Sequence, residues 1–532
     1  MHDIVLKGGM VVDGTGSPPF PADLAIDGDH IAALGRIPAR AARRTIDVGG
    51  LLIAPGFVDM HTHSDLALLA QPTAEPKLMQ GVVTEVIGQD GLSYAPVDDV
   101  TLPAIRTQIS GWNGDPDGVD YNWRTAAQFL DRFHGKTSVN VAFLVPHGNV
   151  RMLVLGQEDR RPDAQELETM RGLVRQGMAE GAVGLSTGLS YTPASHADRE
   201  ELVALCEEVV PFSGFFAPHT RSYGKGVMAA YDEMFDVCER SGAALHLTHC
   251  QVSFSGNEGR ASDLIERIDR ASVTLDVTAD SYCYIAGSTY LAAFLPTWAW
   301  HEGPNGVIDR LSDDACAERV RHELEEVGTS GFHGALIDWS TIRVGSVGSE
   351  RNAACVGSTI QELAERRGVP PFEEARRLLI EENLNVNVLT FVGHEDNIRM
   401  IMRLPQHMAG SDGIMVGDLP HPRAWGTFAR YLAHYARDEG LFRWEEVVRK
   451  MTSLPHRRLG QFDRGVLRPR MLADIVAFDP KLVRDTATYE HPKQHPEGIP
   501  YVLVNGVVVK DDGSHTGATP GRVLRSHAEV RS

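Results

Sequence analysis

Hydrophobic positions along the chain follow two rhythms. From residue 3 to residue 53 short alternating runs, IVLKGGMVV, ADLAIDG, HIAALG, RTIDVGG and LLIAPG, are cut by Gly and Asp turns, which predicts a small antiparallel β unit. The tail repeats this pattern in LADIVAFDP (472–480) and YVLVNGVVVKD (501–511), so the two chain ends are expected to pair into one small β-sandwich. Between them, apolar runs such as TSVNVAFLVPHG, GAVGLSTG, GFFAPHT, AALHLTHC, SVTLDVTADSY and MAGSDG alternate with amphipathic stretches such as REELVALCEEVV and AYDEMFDVCERSG. Strand–helix alternation sustained over this length predicts an α/β fold, a (β/α)8 TIM-like barrel. The expected division is a discontinuous β-sandwich domain of 1–55 and 466–525 around a barrel of 56–465. Residues around 289–350, which include LPTWAWHEGPNG, break the barrel rhythm and are expected to lie over its mouth as a lid.

In a parallel barrel, functional groups sit where strands end at the C-terminal face. The run APGFVDMHTHSDLAL (54–68) closes on His61 and His63, and residues two apart on a strand point to the same side. His219 ends FFAPHTR, His249 ends LHLTHCQ and Asp412 ends QHMAGSDG. Imidazoles and a carboxylate converging from separate strands make a donor set for one or two divalent metal ions and a general base. Asp90 in VIGQDGLSYAP is a further strand-end carboxylate, flanked by glycines that let backbone approach an ion. His147 in VPHGN also ends a strand, without an assigned role.

Composition narrows the function classes. The chain has 532 residues, 42% apolar and 23% charged, as an ordinary globular protein does. A formal charge of −20 argues against nucleic acid or an anionic membrane as partner, since both are bound by clustered Lys and Arg. No apolar run reaches the ~20 residues of a membrane span, and MHDIVLKGGMVVDG is not a secretory leader, so a cytoplasmic location is expected. Six scattered cysteines without a CxxC spacing predict reduced thiols. No GxSxG elbow opens a helix, no phosphate loop or dinucleotide fingerprint is present, and Cys250 beside His249 faces the opposite side of its strand. A water nucleophile on metal remains.

The leading β unit, PGFVDMHTHSD, THC and GSDG together resemble the metal-dependent amidohydrolase superfamily. More narrowly, GLSTGLSYTPAS, DSYCYIAGST, GSDGIMVGDLPHPRAWGTFARYL and MTSLPHRRLGQFDRGVLRPRMLADIVAFD resemble the N-acyl-D-amino-acid deacylases, from about residue 3 to about residue 510. The resemblance implies metal-dependent hydrolysis of a linear amide, with zinc as the expected ion, one or two per chain, and a small N-acyl amino acid as partner. It implies one metal site at His61 and His63, another at His219 and His249, and Asp412 as the base. Two departures stand out: Asp90 occupies the place of a ligating cysteine, and Gln251 the place of a basic residue. The substrate carboxylate would then rest mainly on Arg423, in the loop after HP, with Tyr191, Tyr282 and Ser288 as the other contacts. Three alternatives share parts of this pattern: a cyclic-amide hydrolase of the hydantoinase or dihydroorotase kind, an isoaspartyl-type dipeptidase and a metal-free scaffold. The first normally needs a carboxylated lysine, and GAVGLSTGLSY supplies none. The oligomeric state is left open by the sequence.

Overall fold

The computed structural model describes residues 1–38 and 41–526. Eight strands form its centre: β1 Phe57–Asp59, β2 Val82–Ile87, β3 Asn140–Pro146, β4 Gly184–Gly188, β5 Phe215–His219, β6 Ala244–Leu247, β7 Val277–Ser281 and β8 His407–Ala409. Each pairs in parallel with the next. The last returns to the first: Met60 donates its N–H to the Ala409 carbonyl at 3.3 Å, and Thr62 bridges Gly413 in parallel. This is the (β/α)8 barrel the alternation predicted.

Alternate residues of the strands face opposite ways, and the apolar core divides accordingly. Val58, Val86, Ala142, Leu144, Phe215 and Ala217 pack together on one side of the strands. Phe57, Ile87, Phe143, Val145 and Phe216 join the large cluster shared with the surrounding helices. Phe57, for instance, stacks on Phe428 of helix Arg423–Arg430 at 6.1 Å.

Both chain ends build a second sheet of nine strands. Leu52–Pro55 pairs antiparallel with Ile475–Phe478, joining the ends, and the sheet has its own core around Leu24, Ile53, Ile475 and Leu503. The first strand, His2–Val11, runs parallel to Ala42–Asp47 and to Leu52–Pro55, where an antiparallel unit was expected. Alternation fixes which face a residue takes, not the direction of the neighbouring strand.

Between β7 and β8 the chain inserts a three-stranded antiparallel sheet, Ala286–Tyr290, Val386–Phe391 and Ile342–Val347, with helices Gly303–Ser312 and Asp314–His322. This unit is wider than 289–350, because Val386–Phe391 is its central strand and pairs on both sides.

Candidate metal centre

His219 is the last residue of β5, and the other groups lie a few residues past the ends of their strands. β1 ends at Asp59, and the chain runs on through Thr62, whose bridge to Gly413 fixes His61 and His63 beside Asp412. The Asp412 N–H donates to the His61 carbonyl at 2.7 Å. Asp90, His249 and Asp412 all have left-handed backbone, with φ of 54°, 34° and 49°. Each such residue costs roughly 1–3 kcal/mol unless its surroundings impose it, and here the three converge on one site. The Asp90 loop lies against the end of β4, where a Cβ on Gly188 would stand 2.2 Å from the Asp90 carbonyl.

Six side chains meet at the mouth in two overlapping sets: His61, His63, Asp90 and Asp412, then Asp90, His219 and His249. His63 Nε2 lies 3.2 Å from Asp412 Oδ1 and 3.6 Å from Asp90 Oδ2, while His61 Nε2 is 3.6 Å from each carboxylate. On the other side His249 Nε2 is 3.2 Å from Asp90 Oδ1, His219 Nδ1 is 3.5 Å from Asp90 Oδ2, and these two nitrogens lie 3.1 Å apart with the rings edge-on. Ser190 orients His219 from behind, at 2.7 Å from Nε2. Both nitrogens of His61 and Nδ1 of His249 are buried without a hydrogen-bond partner. Buried imidazoles left unpaired beside two carboxylates suit a cation, and nitrogen and oxygen donors suit zinc.

Electrostatics separates the rings. Burial lowers the His61 pKa to about 4, against the pull of Asp90 and Asp412. For His63 burial acts the same way but is outweighed by hydrogen bonds to Asp412 and Asp90, which raise it to about 9. Burial disfavours the Asp412 carboxylate, yet the Arg423 guanidinium and His63 hold it below the usual range. Asp90 is likewise kept ionised against burial by His249, His61 and His219.

Behind the two loops lies a clamp that sequence reasoning missed. Asp59 Oδ1 accepts the Ser411 N–H at 2.8 Å, and Oδ2 accepts Ser411 Oγ at 2.5 Å and pairs with Lys77 Nζ at 2.5 Å. It ties the segment bearing His61 to the one bearing Asp412. Its signal was Asp59 itself, a strand-end acid two residues before His61.

The cavity over the cluster is lined by His63, Asp90, His219, His249 and Asp412 and, around them, by Tyr191, Gln251, Tyr282 and Ser288. Tyr191 leans on His219 at 4.6 Å and on the edge of Trp112 at 4.9 Å. The Tyr282 hydroxyl donates to Gln251 Oε1 at 3.3 Å, and Ser288 Oγ to Asn387 Oδ1 at 3.3 Å. Arg423 opens helix Arg423–Arg430, where a loop was expected, and is wholly buried behind the Tyr282 ring, 4.6 Å from its centroid. Its Nη1 sits 2.9 Å from Asp412 Oδ2 and its Nη2 donates to the Ser288 carbonyl at 3.2 Å. An anion reaching Arg423 must therefore share it with Asp412. Trp112, stacked on His63 at 4.6 Å, carried no sequence signal beyond being aromatic.

Other candidates fall away. His147 is satisfied by Glu201 and Thr187, each at 2.8 Å, outside the cluster. The letters GLSTG match GxSxG, but they are β4 itself, and Ser186 Oγ donates to the Gly88 carbonyl at 2.6 Å. Burial pushes the Cys250 thiol up to about 12, which removes it as a nucleophile.

Comparison with known proteins shows the family. The sequence model of the amidohydrolase family matches residues 44–510. The chain is 35% identical over 523 residues to a D-aminoacylase of Alcaligenes xylosoxydans xylosoxydans, covering 98% of this chain and 97% of that protein. A solved D-aminoacylase, described by its binuclear metal centre with one-metal activation and second-metal attenuation, superposes with a TM-score of 0.83 at 33% identity, over 99% of this chain and all of that one. An N-acyl-D-glutamate deacylase from Bordetella bronchiseptica, solved with zinc and a phosphonate mimic of the tetrahedral intermediate, superposes at 0.81 with 31% identity, over 98% and 99%.

Proposed function

Because this chain belongs to the amidohydrolase family, we propose that it hydrolyses the linear amide of N-acyl-D-amino acids to a carboxylate and a free D-amino acid. One observation carries this reading: a single carboxylate, Asp90, lies within reach of both imidazole pairs, with a second carboxylate, Asp412, beside one of them. His61 and His63 would hold one ion and His219 and His249 another, with Asp90 shared. A divalent ion there, zinc first among candidates, supplies Lewis acidity toward an amide carbonyl and makes bound water acidic. Asp412, kept ionised by Arg423, takes a proton at a carboxylate oxygen and returns it to the departing amine nitrogen. The hydroxyl of Tyr191 or Tyr282, both of which line the cavity, would meet the developing oxyanion; that of Tyr191 lies 3.4 Å from Thr289 Oγ1. Gln251, Tyr282 and Ser288 form the wall for the α-carboxylate, and Arg423 behind them adds its charge.

A cyclic-amide hydrolase is disfavoured: among the described residues no lysine lines the cavity, and Lys77 is committed to Asp59. The domain division at 55/56 and 465/466 is supported by the separate core of the nine-stranded sheet. The inserted unit acts as the cover of the site. A cytoplasmic location is supported by six unpaired cysteines, and no described helix is long and apolar enough to cross a membrane.

The test strips the metal, adds back zinc, manganese or cobalt, and follows amine release from N-acetyl-D- and N-acetyl-L-amino acids. Metal-dependent turnover of the D series alone is expected. Faster cleavage of β-aspartyl dipeptides would replace this reading with an isoaspartyl dipeptidase, and no metal uptake would leave a scaffold.

A further inference from the structure

His63 and Trp112 line two cavities at once. One is the space over the metal donors, of about 70 Å³, and the other is a neighbouring cavity of about 350 Å³. The larger one is mostly apolar, with Ala67, Leu68, Ala74, Met415, Val416 and Trp425 in its wall. Its charged groups are engaged or solvated: Lys77 pairs with Asp59, Glu85 with Ser64 and Asp115 with Arg106, and Lys493 is exposed. The indole of Trp112, stacked on His63 at 4.6 Å, forms the partition between the two spaces. It is held firmly. Trp112 Nε1 donates to Thr289 Oγ1 at 3.0 Å, and the ring meets Tyr191 at 4.9 Å and Tyr290 at 5.1 Å, both edge-on. Its helix, Ser110–Asn113, is pressed against the inserted sheet, where Asn387 Nδ2 donates to the Gly111 carbonyl at 3.0 Å and a Cβ on Gly111 would lie 2.7 Å from Tyr290 Cβ.

In the deacylase reading, on which this inference rests, the scissile carbonyl meets the metal donors, and Gln251, Tyr282 and Ser288 take the α-carboxylate. A secondary amide is planar and trans, so the acyl chain leaves the carbonyl carbon on the side away from the α-carbon. Phe254 follows Gln251 by three residues and packs against Phe332 at 5.1 Å, which gives the α-carbon end its apolar wall for the D-side chain. The end left for the acyl group is the one closed by Trp112. We propose that Trp112 is a specificity-determining residue that sets acyl length. Its indole backs the acyl pocket, restricts the enzyme to short groups such as acetyl, and shuts off a ready-made apolar space that would house a longer chain.

The test compares kcat/KM for the N-acetyl and N-octanoyl derivatives of the best-accepted D-amino acid, on metal-loaded full-length enzyme. Acetyl is expected ahead by about tenfold or more in the wild type, since extra methylenes have no room. Trp112→Ala joins the two cavities, and burying three or four methylenes at about fourfold each should raise the octanoyl-to-acetyl ratio by about a hundredfold. Trp112→Leu, which keeps an apolar side chain in the core, should move the ratio in the same direction by less. Adding Val416→Trp to Trp112→Ala fills the larger cavity and should take most of the gain back, which a general loosening of the site would not. Ratios taken on one preparation do not depend on the fraction correctly folded. Octanoyl cleaved as well as acetyl by the wild type, a ratio unchanged in both Trp112 variants, or a gain that survives Val416→Trp overturns the assignment while leaving the deacylase reading intact. Turnover of neither derivative by the wild type sinks that reading and this inference together.

Discussion

Arg423→Met removes a buried charge from beside the base while keeping much of the stem's volume. The guanidinium Nη1 lies 2.9 Å from Asp412 Oδ2, and Arg423 is the largest influence holding that carboxyl down against burial. Unit charges about 4 Å apart at an effective dielectric of about 20 attract by about 4 kcal/mol, equivalent to about three pKa units. The neighbouring imidazoles stay, so a rise of about one to two units in the Asp412 pKa is expected. The sign follows from linkage. A carboxyl depressed in the folded state contributes stability above its unfolded pKa and loses it as pH falls, so weakening the pair raises the folded pKa and removes part of that contribution at neutral pH. The acid limb of kcat/KM should move to higher pH, and breaking a buried pair should cost about 3–5 kcal/mol of stability. The assay is a pH profile on wild type and variant matched for metal content, using an N-acetyl-D-amino acid and its α-carboxamide, with thermal unfolding alongside. Losses shared by both substrates together with a shifted limb place the arginine's action on Asp412. A limb superimposable on the wild type's would refute the coupling. A loss confined to the acid substrate would then make Arg423 the partner of the substrate's carboxylate alone.

Asp412→Asn keeps shape without proton affinity, so metal content should be unchanged while kcat falls by roughly 10² or more; near-normal turnover removes it from the mechanism. Asp90→Ala should lower the affinity of both donor sets in a metal titration, whereas Asp90→Cys should restore binding with greater preference for zinc, thiolate being the softer donor. Wild-type metal affinity in Asp90→Ala would reduce Asp90 to a turn residue. Burial raises Glu85 to about 7, against Lys77 and Ser64, so its contribution to stability is full below its unfolded pKa and is lost as pH rises through about 7. Glu85→Gln should abolish that slope, worth on the order of 3 kcal/mol, in denaturant midpoints measured across the window; an equally steep variant would assign it to another group.

Much of the framework was legible because period and strand ends carry it. Most barrel strands appear where short apolar runs end in His or Asp, and the pairing of the chain ends follows from matching alternation at 3–53 and 472–511. Placement of His61, His63, Asp90, His219, His249 and Asp412 around one point needed the barrel's closure, which pattern alone implies but does not measure. What escaped depends on contacts with no local signature. Strand direction near Ala42–Asp47 is set by the path of the connection, and the extent of the inserted unit by the remote strand Val386–Phe391. Trp112, in the short helix Ser110–Asn113, is a single residue drawn to the site by tertiary packing. Arg423 was singled out for its charge, but its burial and its hold on Asp412 arise from the helix it opens.

The barrel's seam joins its first strand to its last, and the proposed base and the first two histidines lie on opposite sides of it, with Thr62 and Gly413 bridged across 351 residues of chain. A nascent polypeptide leaving the ribosome thus carries His61 and His63 long before Asp412 is synthesised. Until the final strand docks, the early histidines lack the later carboxylate, and a prematurely terminated product would lack its base however well its earlier strands had folded. Turnover therefore reports on completion of the chain: ions can be held by residues made early, but the site works only in a molecule whose barrel has closed.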